Sequence, residues 1–292
     1  MATSRHTYSG KLFSEVDSIV NADGQYLFCK YWKPTTEPRF LVLMLHGLGG
    51  HCARFNELAL NLNEIGGLCF ANDYVGHGES EGDRTTVNDY KVFIRDAFQH
   101  ANKTKEEYPN LPVFLYGQSM GGALALLASS EKEDLFQGVI ILGGMLKIDP
   151  GLASPFKKFI VRSVGNVFPN LQVSSLDQSL GSRDKNEVDG VLKDTLSSSG
   201  IKAQMAAQIV KICEAVERII PNYNKPFLAL HGSADGQCDP AGSQTLYQNA
   251  KSDDKILKIY PGCYHDLIHE LKEDRQKSIK DIVDWINDRL NS

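Results

Sequence analysis

A serine at the centre of a glycine-rich turn is the residue of this chain best suited to nucleophilic chemistry. Ser119 lies between Gly117 and Gly121 in the pattern Gly-x-Ser-x-Gly. Val113–Tyr116 has the pattern of a short buried strand, and the apolar residues that follow the turn, as far as Leu127, have that of a helix. A sharp strand-to-helix turn would hold the serine hydroxyl clear of the sheet, and small neighbours are needed where strand and helix pass close together. The segment therefore predicts an activated serine rather than an ordinary glycine-rich turn.

A serine hydroxyl needs a general base, and the base needs a carboxylate to orient it. In α/β-hydrolases, where this turn is the nucleophile elbow, the chain order is serine, acid, histidine. That order excludes the five histidines before Ser119 and leaves His231, His265 and His269. His231 comes too early to follow an acid, and His269 begins the next helical stretch. We therefore predict His265 as the base, in the loop after the strand Lys255–Tyr260.

The acid is expected in the loop after the preceding strand, Pro226–Leu230. Asp235 occupies that position. Asp239 is an alternative, although its place before Pro240 suits a helix N-cap, and Asp149 is a more distant one.

The oxyanion formed by serine attack needs preorganised N–H donors, each worth about 3 kcal/mol. One donor is predicted from Met120, the residue after the nucleophile. The other is predicted from Leu48, in the glycine-rich loop that follows the strand Phe40–Leu45.

Strands and helices alternate along most of the chain, which predicts an α/β fold with a mostly parallel central sheet flanked by helices. The alternation stops after the strand Gly138–Leu142 and resumes near residue 224. Between these points lie the helical stretches Pro155–Val167 and Ile201–Ile219, joined by a polar segment and without a buried strand. We expect one domain, residues 1–292, with a core of residues 1–146 and 224–292 and a helical cap insertion at about 147–223. The other predicted elements are a hairpin (Lys11–Asn21 and Gln25–Trp32), a strand at Leu68–Asp73, and helices at Arg54–Ile65, Thr86–Tyr108, Ala241–Asn249 and Glu273–Leu290.

The composition narrows the classes of function. The 292 residues are 42% hydrophobic and carry a net charge of −5, which gives no electrostatic case for nucleic-acid binding. The first ten residues are polar and do not resemble a signal peptide, and no apolar run is long enough to span a membrane. The six cysteines form no CxxC pair, so we expect reduced thiols in the cytoplasm, with neither disulfides nor a metal site. Serine chemistry of this kind also predicts no cofactor, and the oligomeric state is left open.

Five segments together resemble the monoacylglycerol lipases, from roughly Tyr31 to Leu290. The segments are His46-Gly47-Leu48-Gly49, Gly76-His77-Gly78-Glu79-Ser80, Gly117-Gln118-Ser119-Met120-Gly121-Gly122, Gly232-Ser233-Ala234-Asp235 and Tyr264-His265. The resemblance implies an α/β-hydrolase with a lid that cleaves monoacylglycerols to glycerol and fatty acid, and a soluble enzyme that touches membranes through the lid. It implies that Ser119, Asp235 and His265 are the catalytic triad, and that Cys238 is a thiol beside it, which makes Cys238 a candidate regulatory residue.

The resemblance also marks substrate-binding positions. Gly47, Gly50, Arg54, Val191 and Ile268 are expected near the glycerol end of the site, but Gly50, Val191 and Ile268 stand where the family usually has Glu, Tyr and His. Since these polar groups would bind glycerol hydroxyls, the sequence leaves open a lysophospholipase, a thioesterase or a carboxylesterase. A hydrolase fold acting only as a binding protein is a remote alternative, because all triad members are present. Ser119 argues against relatives with a carboxylate nucleophile.

The start of the predicted cap could contact a lipid surface. In the segment Leu152–Phe168, the side chains of Phe156, Phe159, Ile160, Val164 and Val167 fall near one helical face. Lys157, Lys158 and Arg162 border that face, as expected for a helix that docks on anionic headgroups. The alternative is that this face packs on the core domain. Between this lid and the sheet we expect a long apolar tunnel for an acyl chain above Ser119.

Overall fold

Runs of apolar residues that are buried on both faces form the centre of the structure, a computed structural model that describes residues 5–148, 151 and 154–291. The strands are β1 (Ser18–Val20), β2 (Tyr26–Trp32), β3 (Phe40–Leu45), β4 (Gly67–Asn72), β5 (Val113–Gln118), β6 (Gly138–Leu142), β7 (Gln172–Ser175), β8 (Gly200–Lys202), β9 (Phe227–Gly232) and β10 (Lys255–Tyr260). The helices are α1 (Asn56–Glu64), α2 (Lys91–Glu107), α3 (Met120–Glu131), α4 (Pro155–Val167), α5 (Lys185–Lys193), α6 (Ala203–Ile219), α7 (Ala241–Asn249) and α8 (Lys272–Leu290).

Eight of the strands form one sheet, in the order β1-β2-β4-β3-β5-β6-β9-β10. The strands from β4 to β10 in this order pair in parallel, and β1 and β2 add an antiparallel hairpin at one edge. This is the mostly parallel sheet predicted from the sequence. The carboxyl ends of its parallel strands meet along one edge, so the loops after β3, β5, β6, β9 and β10 are brought together there.

Helices cover both faces of the sheet. Apolar side chains of α1 and α8 pack with one face, around Phe114, Trp285 and Ile282. Those of α2, α3 and α6 pack with the other, around Phe93 and Leu124. The sequence predicted α6 as part of the cap, but its buried side chains, Met205, Ile212 and Val216 among them, belong to this core cluster, and the helix packs on α3.

Most predicted bounds agree with the structure to within two residues, but the first strand of the hairpin is only Ser18–Val20 instead of Lys11–Asn21. Helix α2 begins at Lys91 rather than Thr86, because Thr85 has a φ of 50° and the backbone carbonyl of Asn88 accepts a hydrogen bond from Gln208 of α6. The polar segment of the cap contains a helix that the sequence pattern did not indicate, α5. The side chain of Asp184 caps its first turn by accepting from the Asn186 N–H.

The segment between β6 and β9 also holds a small two-stranded antiparallel sheet of β7 and β8, whose residues are exposed or half-buried, which is why no buried strand was predicted there. Asp149 and Leu152 lie outside the described residues. Every helix in the described part of the chain is too short or too polar to cross a bilayer.

A buried ion pair ties the cap to the loop that carries His265. Glu270 is fully buried, and its carboxylate accepts hydrogen bonds from Arg183 Nε at 2.9 Å, the Tyr264 N–H at 2.7 Å and the Leu271 N–H at 3.0 Å. Arg183 belongs to the cap and also pairs with Asp274 of α8. Because the Glu270 carboxylate sets the backbone on both sides of the loop, the cap residue Arg183 helps to fix the position of His265.

Replacing Arg183 with Met is expected to lower the free energy of unfolding by about 3 kcal/mol, because it leaves a buried carboxylate without its cation. Lys280→Met is the matched control, since Lys280 pairs with Asp284 at an exposed, solvent-screened site and its loss should leave the free energy of unfolding nearly unchanged. Urea unfolding followed by circular dichroism measures both. Equal effects of the two substitutions would contradict a structural role for the buried pair.

Candidate active site

Ser119 lies at the turn between β5 and α3, in a backbone conformation that side chains rarely adopt. Its φ is 56° and its ψ is −120°. Close packing accompanies this conformation: a Cβ on Gly121 would lie 2.1 Å from the Leu45 carbonyl oxygen, and one on Gly117 would lie 2.2 Å from the Gly121 carbonyl oxygen. Larger residues at these two positions cannot be accommodated, so the small neighbours predicted from the sequence are required by contact with β3 and with the helix itself.

The backbone of the loop after β3 lies directly against Ser119. A Cβ on Gly47 would be 3.1 Å from Ser119 Cβ. Leu48 follows in this loop, and Met120 begins α3. Among the described residues, neither the Leu48 N–H nor the Met120 N–H donates to a protein acceptor. Both N–H groups are therefore free to donate to a ligand, and their role toward an oxyanion stays a prediction. Cap residue Ser198 holds this loop, since its N–H donates to the Gly49 carbonyl at 2.8 Å.

His265 and Asp235 are joined by a short hydrogen bond. Nδ1 of His265 lies 2.7 Å from Oδ2 of Asp235, and the side chains are 6% and 0% exposed. Gly143, after β6, packs on the ring, where its φ of 54° suits glycine and a Cβ would lie 3.1 Å from Nδ1. With Nδ1–H donating to the carboxylate, Nε2 is left as the basic nitrogen. Asp239 is not in this contact: its carboxylate accepts from the Ala241 N–H and pairs with Lys147.

A second histidine contacts Asp235. The sequence pattern did not identify this histidine. His231, at the end of β9, places Nε2 3.0 Å from Asp235 Oδ2. The other carboxylate oxygen accepts from the backbone N–H groups of Gln237 and Cys238, at 2.8 and 2.9 Å. The signal available in the sequence was the spacing of four residues between His231 and Asp235. Both oxygens of this buried carboxylate are thus held in place before any substrate binds.

These contacts set the protonation of the pair. Burial alone would raise the pKa of Asp235, but the hydrogen bonds from His231 and His265 outweigh it and hold the pKa well below its usual range. Burial alone would lower the pKa of His265, but the hydrogen bond and charge of Asp235 raise it above its ordinary value. Asp235 is therefore ionised throughout the physiological range, and it stabilises the imidazolium form of His265.

One cavity at the carboxyl edge of the sheet is lined by Ser119 and His265. Its apolar lining comes from Leu48, Leu176, Val188 and Val191, and its other lining side chains are polar or charged. Within the described residues the cavity is thus more polar than the long apolar tunnel expected from the sequence.

Four of the five predicted substrate-binding positions line this cavity, namely Gly47, Gly50, Arg54 and Val191. Ile268 does not. It is 1% exposed and packs in the core beneath the site, because the short 3-10 turn Leu267–His269 directs it inward. His269, the next residue, lines the cavity instead, together with Asp266 and Glu187, which the sequence reasoning did not select.

Cys238 lies beside the serine, with Sγ 4.0 Å from Ser119 Oγ. Burial and the nearby charge of Asp235 raise the pKa of the Cys238 thiol, so the thiol stays protonated at neutral pH. All six cysteines are free and buried. In the described ranges, no cluster of His, Cys, Asp and Glu side chains has the geometry of a metal site.

Comparisons with known proteins agree with the geometry of the site. Residues 36–272 match the family model described as serine aminopeptidase, S33. The chain is 43% identical over 286 residues to the monoglyceride lipase of Homo sapiens, covering 98% of this chain and 94% of that protein. It belongs to the monoglyceride lipase family. The rat monoglyceride lipase is 42% identical over 287 residues, covering 98% of this chain and 95% of the relative.

A solved structure with the same fold is the monoacylglycerol lipase of Paleococcus ferrophilus. It is 27% identical, has a TM-score of 0.78, and the match covers 89% of this chain and 97% of that one. The α/β-hydrolase fold predicted from the sequence is thereby confirmed, and so is the family resemblance.

The environment of His265 predicts a specific change on replacing Asp235 with Asn. In the parent, the pKa of His265 lies above its ordinary value, so its protonation stabilises the fold at low pH and this contribution is lost as pH rises through the folded pKa. Without the carboxylate charge, burial dominates and the pKa falls below the ordinary value. Imidazole resonances followed by NMR between pH 4 and 9 measure the shift.

His77 provides the internal reference for this titration. It is fully buried, and burial lowers its pKa to about 4 in a site away from Asp235. The His77 resonance should therefore be unchanged by Asp235→Asn. A His265 pKa that does not move in the variant would contradict the pairing.

Proposed function

We propose that this chain hydrolyses monoacylglycerols to glycerol and free fatty acid through an acyl-enzyme on Ser119. The observation that carries the proposal is the serine held at a positive-φ elbow in one cavity with His265, whose Nδ1 lies 2.7 Å from Asp235 Oδ2. Membership of the monoglyceride lipase family supports the choice of substrate.

Each residue has a defined task in this mechanism. His265 Nε2 removes the proton from Ser119 as the hydroxyl attacks the ester carbonyl, and the Asp235 carboxylate stabilises the imidazolium that forms. The N–H groups of Leu48 and Met120 donate to the oxyanion. The imidazolium then protonates the leaving glycerol. Water activated by the same histidine attacks the acyl-enzyme and releases the fatty acid, and no step calls for a metal or an organic cofactor.

The substrate fits the cavity in one orientation. We place the acyl chain on the apolar wall of Leu48, Leu176, Val188 and Val191, and the alcohol on the polar wall that includes Arg54 and Asp266. Within the predicted cap segment, residues 147–223, the part before α6 would cover the cavity on the side away from the sheet, while α6 packs with the core.

The cap would bring the site to a lipid surface. Gly165 packs α4 on α6, where a Cβ would lie 3.0 Å from Ala207 Cβ. The opposite face is open: Phe156, Phe159 and Val167 are 72%, 66% and 66% exposed. Apolar side chains exposed on one helix face are typical of lipid or partner contact. We infer that this cytoplasmic protein associates peripherally with membranes through α4.

Two of the three basic residues of α4 differ from the sequence expectation. Lys158 and Arg162 both pair with Glu214 of α6, so they hold α4 on the core domain instead of facing headgroups. Lys157 is exposed, and its Nζ donates to the Gly151 carbonyl. The proposed contact therefore depends mainly on apolar insertion.

Cys238 could regulate the enzyme through its position. A bulky group on Sγ, 4.0 Å from Ser119 Oγ, would block the approach of an ester. The raised pKa of the thiol makes such a modification slow, because the thiolate is the reactive form.

The function is tested with a panel of substrates sharing one acyl chain: 1- and 2-monoacylglycerol, lysophosphatidylcholine, an acyl thioester and a simple alkyl ester. We expect equimolar glycerol and fatty acid from the monoacylglycerols, at a higher kcat/KM than for the other esters. A preference for lysophosphatidylcholine or the thioester would favour the lysophospholipase or thioesterase alternative. No release from any ester would leave only a binding role.

Membrane contact through α4 is tested with the double substitution Phe159→Ser and Ile160→Ser. The variant should sediment with liposomes several-fold less than the parent, with neutral and anionic lipids alike, because apolar insertion is lost. Leu192→Ser is a control on an exposed apolar residue of a different helix, α5. Unchanged partitioning of the double variant would exclude α4 as the contact.

A further inference from the structure

The polar wall of the cavity contains an acid–histidine pair that the mechanism does not use. His269 Nδ1 lies 2.8 Å from Asp266 Oδ2, and both residues line the same cavity as Ser119 and His265. If Nδ1–H donates to the carboxylate, His269 Nε2 is left as an acceptor. In the described part of the chain, that nitrogen has no hydrogen-bond partner. In that tautomer, a ligand in the cavity is offered an acceptor nitrogen held in a fixed position by Asp266.

Asp266 holds two other groups of this wall in place. It is 8% exposed, and its Oδ2 is contacted by both His269 and Arg54. Burial alone would raise the pKa of Asp266, but His269 and Arg54 hold it well below its usual range, so the carboxylate is an acceptor only. Among the described residues its Oδ1 is buried away from any donor, so Asp266 acts on a ligand through the His269 ring and Arg54 rather than by direct contact.

The cations at this wall are already engaged. Arg54 Nη2 lies 3.5 Å from Asp266 Oδ2 and 3.9 Å from Glu187 Oε2. Arg275, behind them, contacts Glu187 and Glu57, each at 3.4 Å. An incoming phosphate would meet the charges of two carboxylates against that of one guanidinium, Arg54, which is already paired with both. Uncharged hydroxyls, by contrast, can donate to His269 and accept from the remaining N–H groups of Arg54.

We propose that Asp266 and His269, with Arg54 and Glu187, form a headgroup subsite that selects an uncharged polyol over an anionic phosphate ester. This rests on the proposed hydrolysis of monoacylglycerols and names the residues that choose the leaving alcohol. The subsite compensates for the absence of polar side chains at Gly50 and Val191, and for Ile268 being buried. His269 acts on substrate binding, and Asp266 orients its ring.

The test uses His269→Asn, since the Asn amide keeps a donor near the position of Nδ1 but has no atom at the position of Nε2. Hydrolysis of 1-oleoylglycerol and of methyl oleate is compared. We expect kcat/KM on oleoylglycerol to fall about tenfold, mainly through a higher KM, as for one lost hydrogen bond. On methyl oleate, which has no free hydroxyl, the change should be less than about twofold.

His6→Asn, at an exposed histidine, is the matched control and should leave kcat/KM unchanged for both substrates. An equal loss on both esters, or no loss on oleoylglycerol, would overturn the role of His269. These outcomes are distinct from failure of the proposed function, which would appear in the parent as an absence of oleoylglycerol hydrolysis.

A second arm tests the charge selection. The parent should hydrolyse 1-oleoylglycerol 3-phosphate with a kcat/KM about 100-fold below that for oleoylglycerol, since like charges oppose binding. Glu187→Gln removes one of the two carboxylates beside Arg54. The ratio of kcat/KM between the two substrates should therefore fall several-fold. A parent that hydrolyses both substrates equally well, or a difference that Glu187→Gln leaves unchanged, would contradict selection by charge.

Discussion

The site depends on the close packing of three pieces of backbone around Ser119. Strand β5 and helix α3 approach so closely that Gly117 and Gly121 have no room for a Cβ, and Gly121 is pressed against the end of β3. This contact accompanies the positive φ of the serine, a conformation that would cost of order 1–3 kcal/mol without such support. The same packing places the loop that carries Leu48, and the first residue of α3, Met120, next to the serine.

The rest of the site is arranged around the buried carboxylate of Asp235. It accepts from two imidazoles and two backbone N–H groups, so its geometry and its charge are both settled before substrate enters. The charge is retained because these donors outweigh the cost of burial. The His265 ring is oriented by that carboxylate, by Gly143 after β6, and indirectly by the cap through Arg183 and Glu270. Arg183, in the segment between β6 and β9, thus helps to position the His265 ring.

The features that could be predicted from the sequence are those that depend on short-range patterns of residue types. The apolar runs of β3 and β6 and the pattern of α4 gave bounds identical to those of the structure, and chain order picked out Asp235 and His265, which do form a hydrogen-bonded pair. Contacts between distant segments could not be read in this way. The start of α2 is set by α6, and α5 begins at a capping Asp inside a polar segment with little apolar periodicity. His231 lies four residues before Asp235 at the end of a buried strand, and that spacing alone does not show that the two side chains meet. The sequence selected Ile268 for the cavity, but the short 3-10 turn at this point directs His269 toward the cavity instead.

The most direct test of the account is covalent labelling of the intact protein with a fluorophosphonate, followed by peptide mapping. The account predicts one adduct per chain on Ser119, and none on Ser119→Ala under the same conditions. Labelling of Asp235→Asn should be much slower, since the base has lost its orienting charge. An adduct on another residue, or undiminished labelling of Ser119→Ala, would contradict the central claim that the strained serine is the nucleophile.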